Sequence, residues 1–386
     1  MGTFHGVDLD ELVLATERLL LRPWHPDDAP RVVEVMADPR MHEFLALPRP
    51  YTPQAGRDYV TGIAAEPRIT GTGLPCAVVE RGGGRLVGSA LLRLGDEPEI
   101  GYWVAPEAQG RGYATEVTAE LARWALTTGA PRVSLLCEVG NVASARVALA
   151  AGFRFEGVMR DGFVGGGYAD VPARRGDLAR FGRLPGDPPG PVAPSFAPLP
   201  DPGVGDGVLR LRPVAAGDAD ALVECDDELT TRWSFTGTPR SAEQLAATAA
   251  RARLDWLVGS VAYLAMVDEE SGRVAGSMQL RVAGPPQVGG VGYVVHPAFR
   301  GRGYATRALR LLAQWAFAEG DFARLELGAK VGNLASVRVA AAAGWEPDGR
   351  RRTRLRNPDG SFSDEDRFTL INPRYGSPAA PPPTTA

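Results

Sequence analysis

Gln109-Gly110-Arg111-Gly112-Tyr113-Ala114 stands between a short apolar run, Gly101-Tyr102-Trp103-Val104, and a long amphipathic segment. The two glycines permit a tight turn, and the segment after them has the apolar spacing of a helix, predicted over 113–128. The first N–H groups of a helix have no intrahelical partner and lie at the positive end of its dipole. The stretch therefore predicts a strand, a glycine turn and a helix start that together suit an anion.

The same pattern occurs a second time in the chain. Arg300-Gly301-Arg302-Gly303-Tyr304-Ala305 follows the apolar run Gly292-Tyr293-Val294-Val295. The flanking segments repeat in the same order, as in Asn141-Val142-Ala143-Ser144 and Asn333-Leu334-Ala335-Ser336. The repeat predicts duplication of a whole domain of roughly 170 residues rather than a short solenoid period.

The two copies are separated by a segment unsuited to a core element. Between Pro185 and Pro202, eight of eighteen residues are proline, which predicts a stiff, extended linker. We predict an N-terminal domain over 10–184, the linker over 185–206, a C-terminal domain over 207–373 and a disordered tail over 374–386. Within the first domain, residues 54–65 are predicted to be a second helical stretch.

The composition excludes several classes of protein. The 386 residues are 44% hydrophobic and 23% charged, with a net charge of −4, which argues against a DNA-binding or anionic-membrane surface. No apolar run reaches bilayer length, and the N-terminus lacks the pattern of a signal peptide. The three cysteines have no metal spacing, and their odd number predicts reduced thiols and a cytoplasmic location.

Taken alone, a glycine turn before a helix is either an anion site or simply a tight turn. The pattern is not a Walker loop and lacks the dinucleotide fingerprint. However, Gln109-x-x-Gly112-x-Ala114 and Arg300-x-x-Gly303-x-Ala305 resemble the acyl-CoA pyrophosphate loop of the GNAT superfamily of N-acetyltransferases. The stretches 16–23 and 140–153 are similar to the RimJ/RimL branch of that superfamily.

This resemblance implies an α/β (α+β) fold with a mixed, curved sheet, present as two GNAT folds in tandem. It also implies an acyl-CoA-dependent N-acyltransferase, with acetyl-CoA as co-substrate and a primary amine of a small molecule or a peptide N-terminus as acceptor. The turn would bind the pyrophosphate, the preceding strand would line the pantetheine arm, and an asparagine would contact the cofactor from the other side. The implied cofactor-binding residues are Trp103, Val104, Gln109, Gly110, Arg111, Gly112, Tyr113, Ala114 and Asn141, and then Val294, Val295, Arg300, Gly301, Arg302, Gly303, Tyr304, Ala305 and Asn333.

Glu99 is the candidate catalytic residue. It opens the cofactor strand, where the resemblance implies a carboxylate that accepts a proton from the amine through a water. The aligned residue of the second copy is Gly290. The second copy therefore uses another base, relies on solvent or has lost the reaction. His296 is a weaker candidate base, and we interpret it as a loop histidine.

Two other functions remain open from the sequence. One half could be a non-catalytic acyl-CoA-binding or structural domain, as Gly290 indicates. Alternatively, the protein could be a binding module without turnover that uses the basic strand over 350–356, although the acidic net charge disfavours this. The sequence identifies neither the acceptor amine nor the acyl chain, and it leaves open whether the chain forms a homodimer.

Overall fold

The computed structural model describes residues 3–4, 6–166 and 171–375. The chain divides into two compact units, Met1–Ala193 and Pro194–Ala386. The predicted tail lies outside the described residues from position 376 onward. We describe each unit by itself.

The first unit contains an eight-stranded mixed sheet in the order β3-β4-β5-β6-β7-β8-β10-β9. Neighbouring strands are antiparallel except for the central pair β7 and β8, which is parallel. The strands of the first unit, of which β1 and β2 lie outside this sheet, are β1 (Thr3–Phe4), β2 (Val7–Asp8), β3 (Leu14–Ala15), β4 (Leu19–Arg22), β5 (Gly73–Glu80), β6 (Leu86–Arg93), β7 (Glu99–Val104), β8 (Val133–Glu138), β9 (Arg154–Gly165) and β10 (Arg174–Arg183). Its helices are α1 (Ala29–Met36), α2 (Pro53–Asp58), α3 (Glu66–Thr70), α4 (Tyr113–Thr127) and α5 (Val142–Ala150).

The second unit repeats this architecture with the sheet order β11-β12-β13-β14-β15-β16-β18-β17. Its strands are β11 (Val204–Gly205), β12 (Leu209–Pro213), β13 (Val261–Asp268), β14 (Val274–Val282), β15 (Val288–Val295), β16 (Arg324–Lys330), β17 (Glu346–Arg356) and β18 (Phe362–Ile371). Its helices are α6 (Ala219–Glu224), α7 (Glu228–Trp233), α8 (Ala242–Val258), α9 (Tyr304–Ala318) and α10 (Leu334–Ala342). The predicted fold class, two mixed α/β sheets in tandem, is confirmed.

The helical stretch predicted over 54–65 is observed over 53–63, with a change of helix type within it. Helix α2 ends at Asp58, and a π turn over Tyr59–Ile63 follows. The backbone N–H of Ala64 bonds to Tyr59 O at 2.8 Å, the five-residue closure that defines such a turn. The extra residue rotates Tyr59 relative to α2, and its side chain contacts the sheet.

Parts of the proline-rich segment pack on the unit to which they belong. The Val192 N–H donates to Leu149 O at 2.8 Å in the first unit. Phe196 is 2% exposed in the core of the second unit, where Trp256 Nε1 donates to Ala197 O at 3.0 Å. The division between the units thus falls within the predicted linker, and the domain bounds given above stay a prediction.

In each unit the two parallel strands pair only at their beginnings. Strand β7 pairs with β8 at Glu99 and Ile100, and no pairing follows along the described strand. Strand β15 pairs with β16 from Val288 to Val291, and the two then separate. Each separation leaves one edge of a central strand without a neighbour inside the sheet, directly before the glycine turn.

Candidate active site

The glycine turn has the same geometry in both units. Gly110 and Gly112 have φ of 75° and 79°, and Gly301 and Gly303 have φ of 75° and 80°. Residues with a Cβ rarely adopt this left-handed conformation, so the backbone itself requires glycine. A Cβ built at Gly110, Gly301 or Gly303 would meet no atom within 4 Å, so open space lies above the turn.

The helix that follows each turn begins without a side-chain cap. Helix α4 starts after Gly112 and α9 after Gly303, and neither glycine can cap through a side chain. The Glu116 N–H bonds to Gly112 O at 3.1 Å, so the N–H groups before it precede the intrahelical ladder. The turn therefore presents backbone donors and the positive end of a dipole to open space, which fits a pyrophosphate.

The first residue of each turn is bonded back to the cofactor strand. Gln109 Nε2 donates to Val104 O at 3.1 Å, and Arg300 Nε donates to Val295 O at 3.2 Å. Arg300 also forms two hydrogen bonds with the Asp227 carboxylate, at 2.7 and 2.8 Å. These side chains fix the turn against its strand, so their predicted contact with the cofactor stays untested.

The turn arginines and tyrosines differ in exposure. Arg111 is exposed, with Nη1 3.7 Å from Glu80 Oε1, and Arg302 is also exposed. Tyr113 donates its hydroxyl to Glu80 Oε1 at 2.7 Å. Tyr304, which is 7% exposed, donates its hydroxyl to a strand carboxylate in the same way. The arginines are exposed at the turn although Arg111 is ion-paired with Glu80, whereas the tyrosines pack on the helix start. Ala114 and Ala305 follow the tyrosines in the first helical turn.

Asn141 and Asn333 act as helix N-caps on the far side of the strand gap. Asn141 Oδ1 accepts from the Ser144 N–H at 3.0 Å, and Asn333 Oδ1 accepts from the Ser336 N–H at 3.1 Å. The side-chain oxygen of each asparagine is thus engaged within its own helix, and the predicted contact with the cofactor stays untested.

A buried tyrosine–serine hydrogen bond spans each gap, and the sequence analysis missed it. Tyr102 Oη donates to Ser144 Oγ at 3.1 Å, and Tyr293 Oη donates to Ser336 Oγ at 3.2 Å. Burial raises the pKa of both phenols, which keeps them neutral donors. Each tyrosine occurs at the same position of the repeat, and this recurrence is the feature of the sequence that could have predicted its role.

The side chains of β7 alternate between two faces of the sheet. Tyr102 points toward α5, while Trp103 Nε1 lies 3.4 Å from Tyr59 Oη on the opposite side. Glu99, Gly101 and Trp103 therefore share one face, which we call the Glu99 face. A Cβ at Gly101 would meet no atom within 4 Å. The Glu99 face thus has an open notch between a carboxylate and an aromatic ring, beside the unpaired strand edge.

Glu99 is partly exposed and forms an ion pair with Arg93, its cross-strand partner on β6. The pair shows that Glu99 is accessible at the strand start and oriented by a neighbouring cation. The role of Glu99 as a base stays a prediction.

An aromatic wall borders the notch and was also missed. Trp24 lies 5.4 Å from Tyr59 and 6.3 Å from Trp103, measured between ring centroids. Tyr59 Oη lies 3.0 Å from Ser89 Oγ. Trp24 Nε1 is buried without a hydrogen-bond partner in the described part of the chain. These rings come from three distant segments, and the π turn that orients Tyr59 gave no recognisable signal.

The second unit differs from the first at the corresponding notch. Gly290 replaces the carboxylate, although its cross-strand partner is still an arginine, Arg281. The side chain of Gln279 lies over Gly292, since a Cβ there would be 2.8 Å from Gln279 Nε2. We call the face bearing positions 290, 292 and 294 the Gly290 face. It has no acid at the strand start, and its notch is occupied.

Two other candidates have structural partners. His296 Nε2 lies 2.8 Å from Glu224 Oε2, and its Nδ1 accepts the Ala298 N–H at 3.1 Å, so this residue is a buried cap rather than a free loop histidine. Cys137 is 6% exposed, and burial raises the pKa of its thiol to about 12, so it is a core residue rather than an activated nucleophile.

Neither a metal cluster nor a membrane-spanning helix occurs among the described residues. Across residues 3–4, 6–166 and 171–375, no group of three His, Cys, Asp or Glu side chains is placed to hold a metal ion. No helix in those ranges has both the length and the apolar character needed to cross a bilayer.

Comparison with known proteins agrees with this geometry. Residues 18–154 and 209–346 each match the Acetyltransferase (GNAT) domain family. Probable N-acetyltransferase YjcK of Bacillus subtilis is 33% identical over 92 residues, 24% of this chain and 50% of that protein. YoaA of the same organism, an uncharacterized N-acetyltransferase, is 27% identical over 156 residues, 38% of this chain and 86% of that protein.

Among solved structures, RimL, a ribosomal alpha-N-protein acetyltransferase in complex with coenzyme A, is 19% identical. It covers 46% of this chain and 97% of its own, with a TM-score of 0.39. The match to YjcK spans half of that relative's length. The two family matches together cover most of the chain, which therefore belongs to the GNAT acetyltransferase family as a tandem duplication.

Proposed function

We propose that the first unit transfers an acetyl group from acetyl-CoA to a primary amine by direct attack. The observation that carries the proposal is the open notch at Gly101, which lies between Glu99 and Trp103 and beside the unpaired edge of β7. Acyl-CoA, when bound, supplies the acyl group as a thioester and leaves as a thiol. The backbone N–H groups of 110–114 would hold its pyrophosphate, and the edge of β7 would bond its pantetheine arm.

The amine must lose a proton when it forms the new bond to carbon. Glu99 lies on the face that the notch opens, and it would accept that proton through a water. Arg93 forms an ion pair with the carboxylate and orients it. The Trp24, Tyr59 and Trp103 rings would exclude water from the apolar side of the acceptor. Tyr102 would hold Ser144 at the opposite wall of the gap.

The test is acetyl-CoA-dependent thiol release, screened over peptide N-termini, aminoglycosides, polyamines and amino acids. With a substrate in hand, Glu99→Gln should lower turnover by roughly 10²–10⁴-fold without weakening acetyl-CoA binding. Glu66→Gln is the matched control, because Glu66 is an exposed carboxylate in the first turn of α3. Full turnover in Glu99→Gln would exclude Glu99 as the base.

A second proposal concerns the other unit. We propose that it binds acyl-CoA without transferring the acyl group, because Gly290 carries no acid and Gln279 lies over Gly292. Comparing Glu99→Gln with Gly303→Asp on a true substrate decides between the units. The first should lower turnover by the same roughly 10²–10⁴-fold, while the second should remove one of two acetyl-CoA sites and leave turnover intact. Residual transfer in Glu99→Gln that disappears in the double variant would show that the second unit is active.

The compartment and the acceptor follow from the same features. All three cysteines are buried free thiols, and we propose that the protein works in the reducing cytoplasm. The acceptor class we propose is a small-molecule amine or a peptide N-terminus, because the notch admits a primary amine.

A further inference from the structure

The second unit contains a buried lysine whose hydrogen-bonding capacity is only partly used. Lys330, at the end of β16, is the only lysine of the chain and is 2% exposed. Its Nζ donates to Arg232 O at 3.2 Å and to Arg356 O at 2.6 Å. An ammonium has three N–H donors, and within the described ranges the third has no acceptor and no carboxylate within 4.0 Å.

A buried carboxylate lies beside this lysine. Glu365 on β18 is the direct cross-strand partner of Lys330 and is 7% exposed. Its Oε2 is buried and accepts no hydrogen bond; the nearest cation is Arg351, whose Nη1 is 4.0 Å away. A Cβ at Gly328 would collide with Glu365 Oε1, so the carboxylate occupies space that exists only because residue 328 is glycine.

The first unit has nothing comparable at these positions. The same register there pairs Leu178 with Glu138, and Glu138 forms an ion pair with Arg174. Leu136 stands where the second unit has Gly328. The second unit therefore has Glu365 in place of Leu178, and Gly328 leaves room for its carboxylate. Lys330, which has no ion-pair partner within the described ranges, stands in place of the ion-paired Glu138.

These groups lie on the Gly290 face at the mouth of the strand gap. Gly290 is the register partner of Glu326 on β16, and by alternation Gly328 and Lys330 share that face. The strands separate after Val291, so Lys330 borders the gap. Burial of a charged group without a full set of partners costs stability. Burial lowers the pKa of Lys330, while the negative charge of Asp359 acts to raise it. Retaining two buried charged groups with incomplete sets of partners is expected where a ligand completes them.

We propose that Lys330 and Glu365 form a binding site for a small zwitterion, a free α-amino acid. Its carboxylate would take the third N–H of Lys330, and its amino group would donate to Glu365 Oε2. Directly paired residues of an antiparallel ladder have Cβ atoms about 5 Å apart, a spacing that a ligand with adjacent opposite charges can bridge. A simple amine or a simple acid would complete only one of the two groups. The site is for binding and does not depend on acyl transfer by either unit.

Isothermal titration of the full chain with the standard free amino acids tests the site. The amino acid that binds most tightly is then compared with its decarboxylated amine and its deaminated acid. Each analogue should bind about 10- to 100-fold more weakly, because each loses one charged hydrogen bond. Glu365→Gln and Lys330→Met should weaken binding by a similar factor. Glu138→Gln, at the equivalent position in the first unit, is the matched control and should leave it unchanged.

The stability of the variants distinguishes a ligand site from a structural pair. Without ligand, Glu365→Gln should unfold at a temperature no lower than the unsubstituted chain, since it removes a buried charge whose cation partner, Arg351, is 4.0 Å away and whose Oε2 accepts no hydrogen bond. The proposal is overturned if no amino acid binds at up to about 10 mM. It is also overturned if either analogue binds as well as the zwitterion, or if Glu365→Gln lowers the unfolding temperature and leaves binding intact. Acetyl-CoA affinity, titrated separately, reports on the proposed function independently of these outcomes.

Discussion

Substitution of Gly112 by alanine tests whether the conformation of the glycine turn holds the pyrophosphate. The residue has φ of 79°, and a side chain with a Cβ pays about 1–2 kcal/mol in the left-handed region. The added Cβ would lie 3.5 Å from Arg18 Nη2, an ordinary contact, so packing adds little to this cost. If the strained turn of the variant relaxes when no acetyl-CoA is bound, a smaller fraction of the protein has the conformation that binds. A cost of about 1–2 kcal/mol then lowers the affinity for acetyl-CoA by about 5- to 30-fold.

The assay is isothermal titration with acetyl-CoA in a chain that also carries Gly303→Asp, so that only the first turn binds. Asparagine tolerates the left-handed region better than alanine does, so Gly112→Asn should be the more stable of the two variants. Its longer side chain adds more bulk at the turn, beside Arg18, and it should nevertheless bind acetyl-CoA more weakly than Gly112→Ala. Gly83→Ala is the control, because it is unhindered and needs no positive φ. Wild-type affinity in both Gly112 variants would refute the assignment of the pyrophosphate to this turn.

Three further predictions concern single contacts. The Arg300 guanidinium holds the pKa of the Asp227 carboxyl well below its usual range. The stability that this ion pair contributes is therefore present above the unfolded pKa of about 3.9 and is lost as the pH falls below that value. Asp227→Asn should flatten the acid limb of the curve of unfolding free energy against pH. Tyr102→Phe removes the buried donor to the α5 serine and should cost about 1 kcal/mol, a fall of roughly 2–4 °C in Tm measured by calorimetry. Gly290→Glu should fold with unchanged or higher Tm, since a Cβ there meets only Ala283 Cβ at 3.4 Å and a glycine inside a strand costs about 0.5–1 kcal/mol of stability. A loss of stability above about 1 kcal/mol would contradict this prediction. The variant should show no turnover by the second unit, because Gln279 covers the notch.

Local sequence patterns predicted much of the fold. The cofactor strand was predicted over 99–104, the bounds observed for β7, and the helix predicted over 113–128 is observed over 113–127. These elements are bounded by proline and glycine, whose backbone restrictions act over one or two residues. The helical stretch predicted over 54–65 is helical, but its change to a π turn after Asp58 was not predicted, because such a turn depends on packing rather than on the residues within it.

The parts of the site that the sequence did not reveal depend on cross-strand geometry. Gln279 reaches Gly292 because β14 and β15 are neighbours in a particular register, and hydrophobic periodicity does not specify which polar side chain lies over which glycine. Lys330 and Glu365 lie 35 residues apart in sequence and meet only through the pairing of β16 with β18. The repeat revealed Gly290 in place of Glu99, because that comparison needs only alignment.

The separation of the parallel strands has a consequence for how the protein persists in a cell. Peptide groups along β7 and β15 end at an edge inside the sheet, beyond the residues that pair with the neighbouring strand. A molecule that occupies this edge as an extra strand binds the folded chain but not the unfolded one. At a free concentration 100 times its Kd, it would stabilise the fold by about 2.7 kcal/mol. The lifetime of the protein would then follow the metabolic supply of its own co-substrate, falling when that supply is exhausted.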